Sequence, residues 1–199
     1  VKKFKLTSEF IVDISGVKLF RIKALIEFGN VKAGDLGGYI EKEENLSHMG
    51  NAWVSGDAQV SGDARVSGDA RVSGNAWVSG NAQVSGDARV SGNARVSGNA
   101  QVSGDARVSG NARVSGDAQV FGDARVSGDK DYAYAHGFGS CNRTTTFFRL
   151  KDGDVGVRCG CFYGTLAQFR DNVCETHGET KKAQEYLMLA DLMDFRFKN

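Results

Sequence analysis

The feature that most constrains this chain is a six-residue repeat running without a break from Gly50 to Ser127. Its thirteen units read Gly-Asn/Asp-Ala-x-Val-Ser, with Phe121 standing once in the serine position. Valine recurs from Val54 to Val126, and alanine from Ala52 to Ala124. In an extended Ala-x-Val the first and third side chains share one face and the middle one points away. Alanine and valine therefore line an interior, and x meets solvent. Ser-Gly-Asp/Asn supplies a corner, because glycine and Asp/Asn tolerate turn dihedrals. One unit cannot bury its own valine, whereas stacked coils can, each pairing its backbone with the next. At ~1.5–3 kcal/mol per buried valine, the repeats offset the entropy of a glycine-rich chain only as one stack.

A longer period sits over the short one. Gly68–Ser85, Gly86–Ser103 and Gly104–Phe121 align at 18 residues, so three hexads make one coil and the coil is triangular. The repeat makes a little over four coils, a prism about 20 Å tall. The first face carries Trp53, Arg71, Arg89, Arg107 and Arg125 outward. The second carries Gln59, Trp77, Arg95 and Arg113, and the third Arg65, Gln83, Gln101 and Gln119. Among the corners, Asp69, Asp87, Asp105 and Asp123 form one column. Asn75, Asn93 and Asn111 form another, whose amides can bond in a ladder.

The Val-Ser-Gly-Asn/Asp-Ala-x unit resembles the hexapeptide repeat of left-handed parallel β-helices, and the left hand is implied by that resemblance alone. The order of segments also resembles hexapeptide-repeat proteins of phages and prophages. A lysine-rich opening is followed by Gly34-Asp-Leu-Gly-Gly-Tyr-Ile-Glu-Lys-Glu-Glu-Asn-Leu-Ser47, the repeat, and a cysteine-containing tail. The expected fold is mainly β: a left-handed triangular β-helix over 46–129, a β-rich N-terminal cap over 1–45, and a small ββαα domain over 130–199.

In the cap, Phe4, Leu6 and Phe10 to Ile14 suggest one strand and Val17–Leu25 a second, with Ser15-Gly16 as the turn. Gly34–Gly38 bends the chain into Tyr39-Ile40; it lacks the GxxxxGK[ST] spacing of a phosphate loop. Glu41 to Glu44 reads as a solvated charge run, and the coil begins at Leu46 or earlier through an irregular turn. In the tail, Thr144–Leu150 and Val155–Tyr163 form a hairpin. Thr165-Leu-Ala-Gln168 is a capping box opening a helix to about Thr176, and Gly178 stops it. A last helix covers about Lys181–Phe197, with an apolar stripe of Ala183, Tyr186, Leu187, Ala190, Met193 and Phe197, widened by Leu189 and Leu192.

Net charge is +1, so no global field calls for nucleic acid or a membrane. No apolar run approaches a membrane span and no signal-peptide pattern is seen, so a cytoplasmic location is expected, in the host cell if the protein is phage-encoded. Cys141, Cys159, Cys161 and Cys174 are too few and too clustered for a disulfide scaffold. Cys159 and Cys161 share a face if both lie on one strand. With Cys141 and Cys174 they could surround zinc, but Cys-x-Cys is not the usual knuckle, and small buried thiols are the expectation. No cofactor and no metal are expected.

Hexapeptide-repeat acyltransferases resemble this chain in scaffold, and that resemblance implies a catalytic histidine near a subunit boundary. Here His48, His136 and His177 all lie outside the repeat. The expected function is therefore a non-enzymatic interaction protein, with a host protein or complex as partner. On the phage resemblance this would be an inhibitor of host defence such as an anti-CRISPR protein. A trimeric acyltransferase and a polymerising structural protein are the alternatives. Candidate contact residues are Arg71, Arg89, Arg107, Arg125, Arg95, Arg113, Trp77 and Phe121, with Arg95 placed to stack on Trp77. Seven aspartates offset the seven arginines of the repeat, which argues against nucleic acid. Gln83, Gln101 and Gln119 form the least charged face. With Tyr186, Leu189, Met193 and Phe197 they are the candidates for self-association as a dimer or trimer.

Overall fold

The computed structural model describes residues 1–140 and 143–198. Three strands open the chain: β1 (Phe4–Val12), β2 (Lys18–Ala24) and β3 (Leu36–Ile40). Thirteen two-residue rungs follow, from β4 (Trp53–Val54) to β16 (Arg125–Val126). Then come β17 (Tyr132–Ala135), β18 (Thr145–Arg149), β19 (Val155–Cys159), β20 (Phe162–Thr165), α1 (Leu166–His177) and α2 (Lys181–Phe197).

The rungs stack in parallel at the 18-residue period. Val54, Val72, Val90, Val108 and Val126 pair in one column, with Trp53 and the arginines in register beside them. Every repeat alanine and valine is buried to 1 % exposure or less. Successive coils are tied by backbone bonds, such as Arg71 N to Ala88 O at 2.9 Å and Ser73 N to Val90 O at 2.9 Å. The corner glycine is required twice over. Gly98 has φ +69°, and a Cβ there would sit 2.9 Å from the backbone nitrogen of Gly116 in the next coil.

A stack of coils ends in unpaired backbone groups, and the N-terminal end covers each face differently. On the second face β3 continues the sheet, pairing antiparallel with β2 and parallel with Gln59–Val60. Gly37 and Gly38 therefore lie in a strand. They are glycine because a Cβ would approach Val54 O and Ala58 O to 2.6 Å. On the third face Leu46 pairs with Val66, and the buried Asn45 donates to Gly62 O and Ala64 O. On the first face Lys3, 1 % exposed, donates its Nζ to Gly50 O and Ala52 O. Burial lowers the Lys3 ammonium to about 8, against a smaller opposing pull from Asp69. The coil thus begins at Tyr39, earlier than Leu46. The acidic run is engaged as well: Glu41 accepts from Gly62 N, Lys42 pairs with Asp63, and Glu43 pairs with Lys2.

At the other end the expected two-stranded hairpin is an antiparallel sheet ordered β17-β18-β19-β20. Gly160, at φ +58°, breaks the expected returning strand into β19 and β20. Alternation along β18 gives its two phenylalanines separate cores. Phe148 and Tyr132 join the prism interior, while Phe147 packs with Val157 under α1 and α2. Thr146 Oγ1 accepts from Gln119 N at 2.9 Å, Asp129 accepts from Arg113 N, and Lys151 N donates to Asp123 O. The Thr165–Gln168 capping box forms, and α2 has the expected bounds.

Candidate interaction surface

The three faces share one backbone and differ in what their outward residues meet. On the first, Trp53 is buried against Phe28, at 5.4 Å between rings. The Arg71 guanidinium lies beside Gly29. Arg125 turns back and donates to the carbonyls of Asp105, Asp123 and Ala124. That leaves Arg89 and Arg107 exposed in a cleft of about 350 Å³ shared with Asp87, Asp105, Asp123 and Lys151. Among the described residues no column arginine comes within 4.0 Å of a column carboxylate. The two columns balance in charge by alternation, without forming discrete pairs.

The second face has a different corner. Asn75 donates to Asn93 at 3.3 Å and Asn93 to Asn111 at 3.2 Å, so amides stand where the first face has carboxylates. Arg95 lies over the Trp77 ring at 5.6 Å, as the spacing suggests, and Arg113 continues the column. Arg95 and Arg113 are exposed. A groove of about 400 Å³ opens between Gln59, Trp77, Asn93 and Arg95 and the Val12–Ile14 end of the N-terminal hairpin. Asp13 also lines it, but its carboxylate accepts from Ser15 N and Val17 N. The Trp77 indole nitrogen is buried without a partner.

On the third face Gln83 and Gln101 are exposed, and Gln119 is half-covered where the C-terminal sheet begins. A second ladder, from Asn81 to Asn99 to Asp117, runs along its corner at 3.0 and 2.9 Å. The same 18-residue spacing that shows the first ladder would have found it.

Several candidate contacts are corrected by burial. Phe121 is partly buried: its ring meets Tyr163 at 5.0 Å and the Arg158 guanidinium at 5.1 Å, between the prism and the C-terminal sheet. Tyr186, Leu189, Met193 and Phe197 are at most 9 % exposed and form the core under α1, so a second chain cannot reach them. The apolar side chains that α2 leaves outside are Met188, Leu192 and Phe195.

The histidines and cysteines are dispersed. His48 Nδ1 accepts from Lys3 N, and its ring stacks on Phe4 at 4.3 Å. His136 bonds Thr144, and His177 stacks on Tyr186. Cys159 ends β19 and Cys161 sits exposed past the Gly160 turn, so the two do not share a strand face. Cys174 is exposed on α1, and Cys141 lies outside the described residues. Among the described residues no group of three or more His, Cys, Asp and Glu side chains is arranged to hold a metal ion. A recess of about 470 Å³ does open between Arg143, Cys159, Phe162, Phe169, His177 and Tyr186. Burial there raises the Tyr186 hydroxyl above its usual range.

A family model described as the YdcK β-solenoid repeat matches seven overlapping stretches: 58–70, 64–80, 70–86, 82–98, 88–104, 100–116 and 106–120. The repeat is thus similar to that family's across most of the prism, and the matches stop short of both caps. No curated protein matches the chain. Among the described residues no helix is long and apolar enough to cross a membrane.

Proposed function

We propose that this chain is a non-enzymatic interaction protein whose β-solenoid is a rigid mount for a contact on its second face. One observation carries this: Trp77, Arg95 and Arg113 stand in register on a face whose corner column is asparagine. Beside Arg95 the corner groups are neutral amides, whereas Asp87 and Asp105 flank Arg89; among the described residues Arg113 meets a carboxylate only at Asp129, which accepts from its backbone nitrogen. Tryptophan and arginine are also the residue types that dominate binding energy at protein interfaces. The matching partner is a protein surface with acidic groups around an apolar or aromatic centre. The order of segments resembles that of phage hexapeptide-repeat proteins, and on that resemblance alone the specific form of this proposal is an inhibitor of a host defence complex. The capped prism ends support it over a head-to-tail polymer, since Lys3, Asn45 and β3 occupy the carbonyls that another stack would need.

The test is affinity capture from host extract with charge-matched variants. A partner held by the wild-type chain and by Arg89→Glu/Arg107→Glu, but lost by Arg95→Glu/Arg113→Glu, supports the second face. Loss with the first-face pair alone overturns it. Saturable binding of an acyl-CoA would instead favour the transferase alternative.

A further inference from the structure

A recess in the C-terminal domain lies outside the second-face contact. It measures about 470 Å³ and opens where the end of β19, the Gly160 turn and the second half of α1 meet. Small-molecule sites usually measure about 300–1,000 Å³. Its floor is aromatic: the buried Phe169 and Tyr186 stand 5.7 Å apart between rings, and Phe162 packs on Phe169 at 5.5 Å. The polar atoms of that floor are already satisfied. The Tyr186 hydroxyl accepts from Ser140 N and donates to Ser140 O, and Cys159 accepts from Thr145.

Arg143 is the charge left over. Of the other arginines in this domain, Arg149 donates to Gly153 O and Phe197 O, Arg170 pairs with Asp191, Arg196 donates to Asp129 O, and Arg158 lies over Phe121. Arg143 has no such partner among the described residues. Its guanidinium lies over Gly160, where any Cβ would collide with it. Among the described residues no Asp or Glu lines the recess, and Glu185, next to Tyr186, is turned to Gly139 N. The carbonyl end of α1, behind Thr176 and His177, carries roughly half a negative charge. Two of its carbonyls are taken, Cys174 O by Gly178 N and His177 O by Thr180 N. The full charge of Arg143 therefore sets the sign of the recess. We infer that it binds a small organic anion, a carboxylate held by Arg143 on a flat apolar body that lies against Phe162 and Phe169. The planar guanidinium offers paired N–H donors that match the two oxygens of a carboxylate. The apolar body covers the ring surface left at the floor. Asn172 and His177 extend the polar lining along α1. This site does not depend on the second-face contact, which belongs to the prism.

Fluorine NMR of 4-fluorobenzoate with the full chain tests it, with 4-fluorobenzamide as the neutral isostere. The benzoate should bind saturably with a dissociation constant on the order of 1 mM, and the amide at least about tenfold more weakly. Arg143→Gln should weaken the benzoate about tenfold or more, and Arg143→Lys should keep part of the binding. Arg95→Gln, on the prism, should change nothing. Arg143 is exposed, so its variants should melt with the wild type. The comparison of benzoate with amide on the wild-type chain decides the charge preference even if they do not. No saturable binding up to ~20 mM overturns the inference, as does equal binding of the two probes. A loss with Arg95→Gln as large as with Arg143→Gln overturns it too.

Discussion

The prism and the C-terminal domain bury their interiors by opposite means. The prism uses two small side chains, alanine and valine, in every unit, and ties each coil to the next through the backbone. The C-terminal domain uses a few large rings: Phe147, Phe162, Tyr186 and Phe169 meet at 5.5–6.2 Å, mostly edge to face. In the first, structural information is spread evenly, and no single unit is stable alone. In the second it is concentrated in a handful of positions. β18 belongs to both, one phenylalanine to each side. A periodic array cannot finish itself, because the groups that pair coil to coil have no successor at the last coil. Unlike residues must do that work.

The sharpest test of this contrast is the pair of neighbours on β18. Phe148→Ala and Phe147→Ala should each cost about 3–5 kcal/mol, as buried phenylalanines do. Hydrogen exchange should separate them. The first is expected to release amides of the last coils, and the second those of α1 and α2. One common exchange pattern would mean that the two cores unfold as one. Next in size is Gly98→Ala, expected to cost roughly 2–3 kcal/mol from left-handed strain and crowding against Gly116. Gly153→Ala, at φ +94° but in open space, should cost only about 1–2 kcal/mol in the same denaturation series.

Lys3→Met should destabilise by about 1–3 kcal/mol near neutral pH by orphaning two buried carbonyls. It should also change the pH profile. Because the folded Lys3 gives up its proton at about 8, against 10.5 for an ordinary lysine, the unfolded chain binds more protons between those values. Wild-type stability should therefore gain from this group as pH rises above 8, and the variant should lack that gain. Urea midpoints at pH 7.5 and 9.5 would show it, and equal slopes for the two chains would remove Lys3 from the explanation. The smallest effect belongs to the exposed ladder: Asn99→Ala should cost about 0.5 kcal/mol, near the limit of a melting measurement.

The sequence carried the prism almost completely, because one geometric rule repeats there and each unit confirms its neighbour. Register, inward valines, the Trp77–Arg95 stack and the Asn75 ladder all follow from counting in steps of 18. The ends resisted the same treatment. Nothing about Lys3 or Asn45 in sequence says that a polar side chain will stand in for a missing coil. Phe121 looked like an exposed departure from serine because Tyr163, its partner, is far along the chain. On α2 the helical period was plain, but with apolar residues on both sides only the packing of α1 decided which side turned inward. That is why Tyr186, Leu189, Met193 and Phe197, expected at a self-association surface, lie in the core instead.

Because each end is completed by its own residues, the number of coils between them is mechanically adjustable. Deleting a single hexad would swing the C-terminal domain about a third of a turn around the long axis, bringing α2 over a different face. Deleting three would return it to its original bearing, about 4.8 Å closer to the N-terminal cap. The repeat thus acts as a vernier, setting the angle and distance between the two ends of the molecule in fixed increments without altering either one.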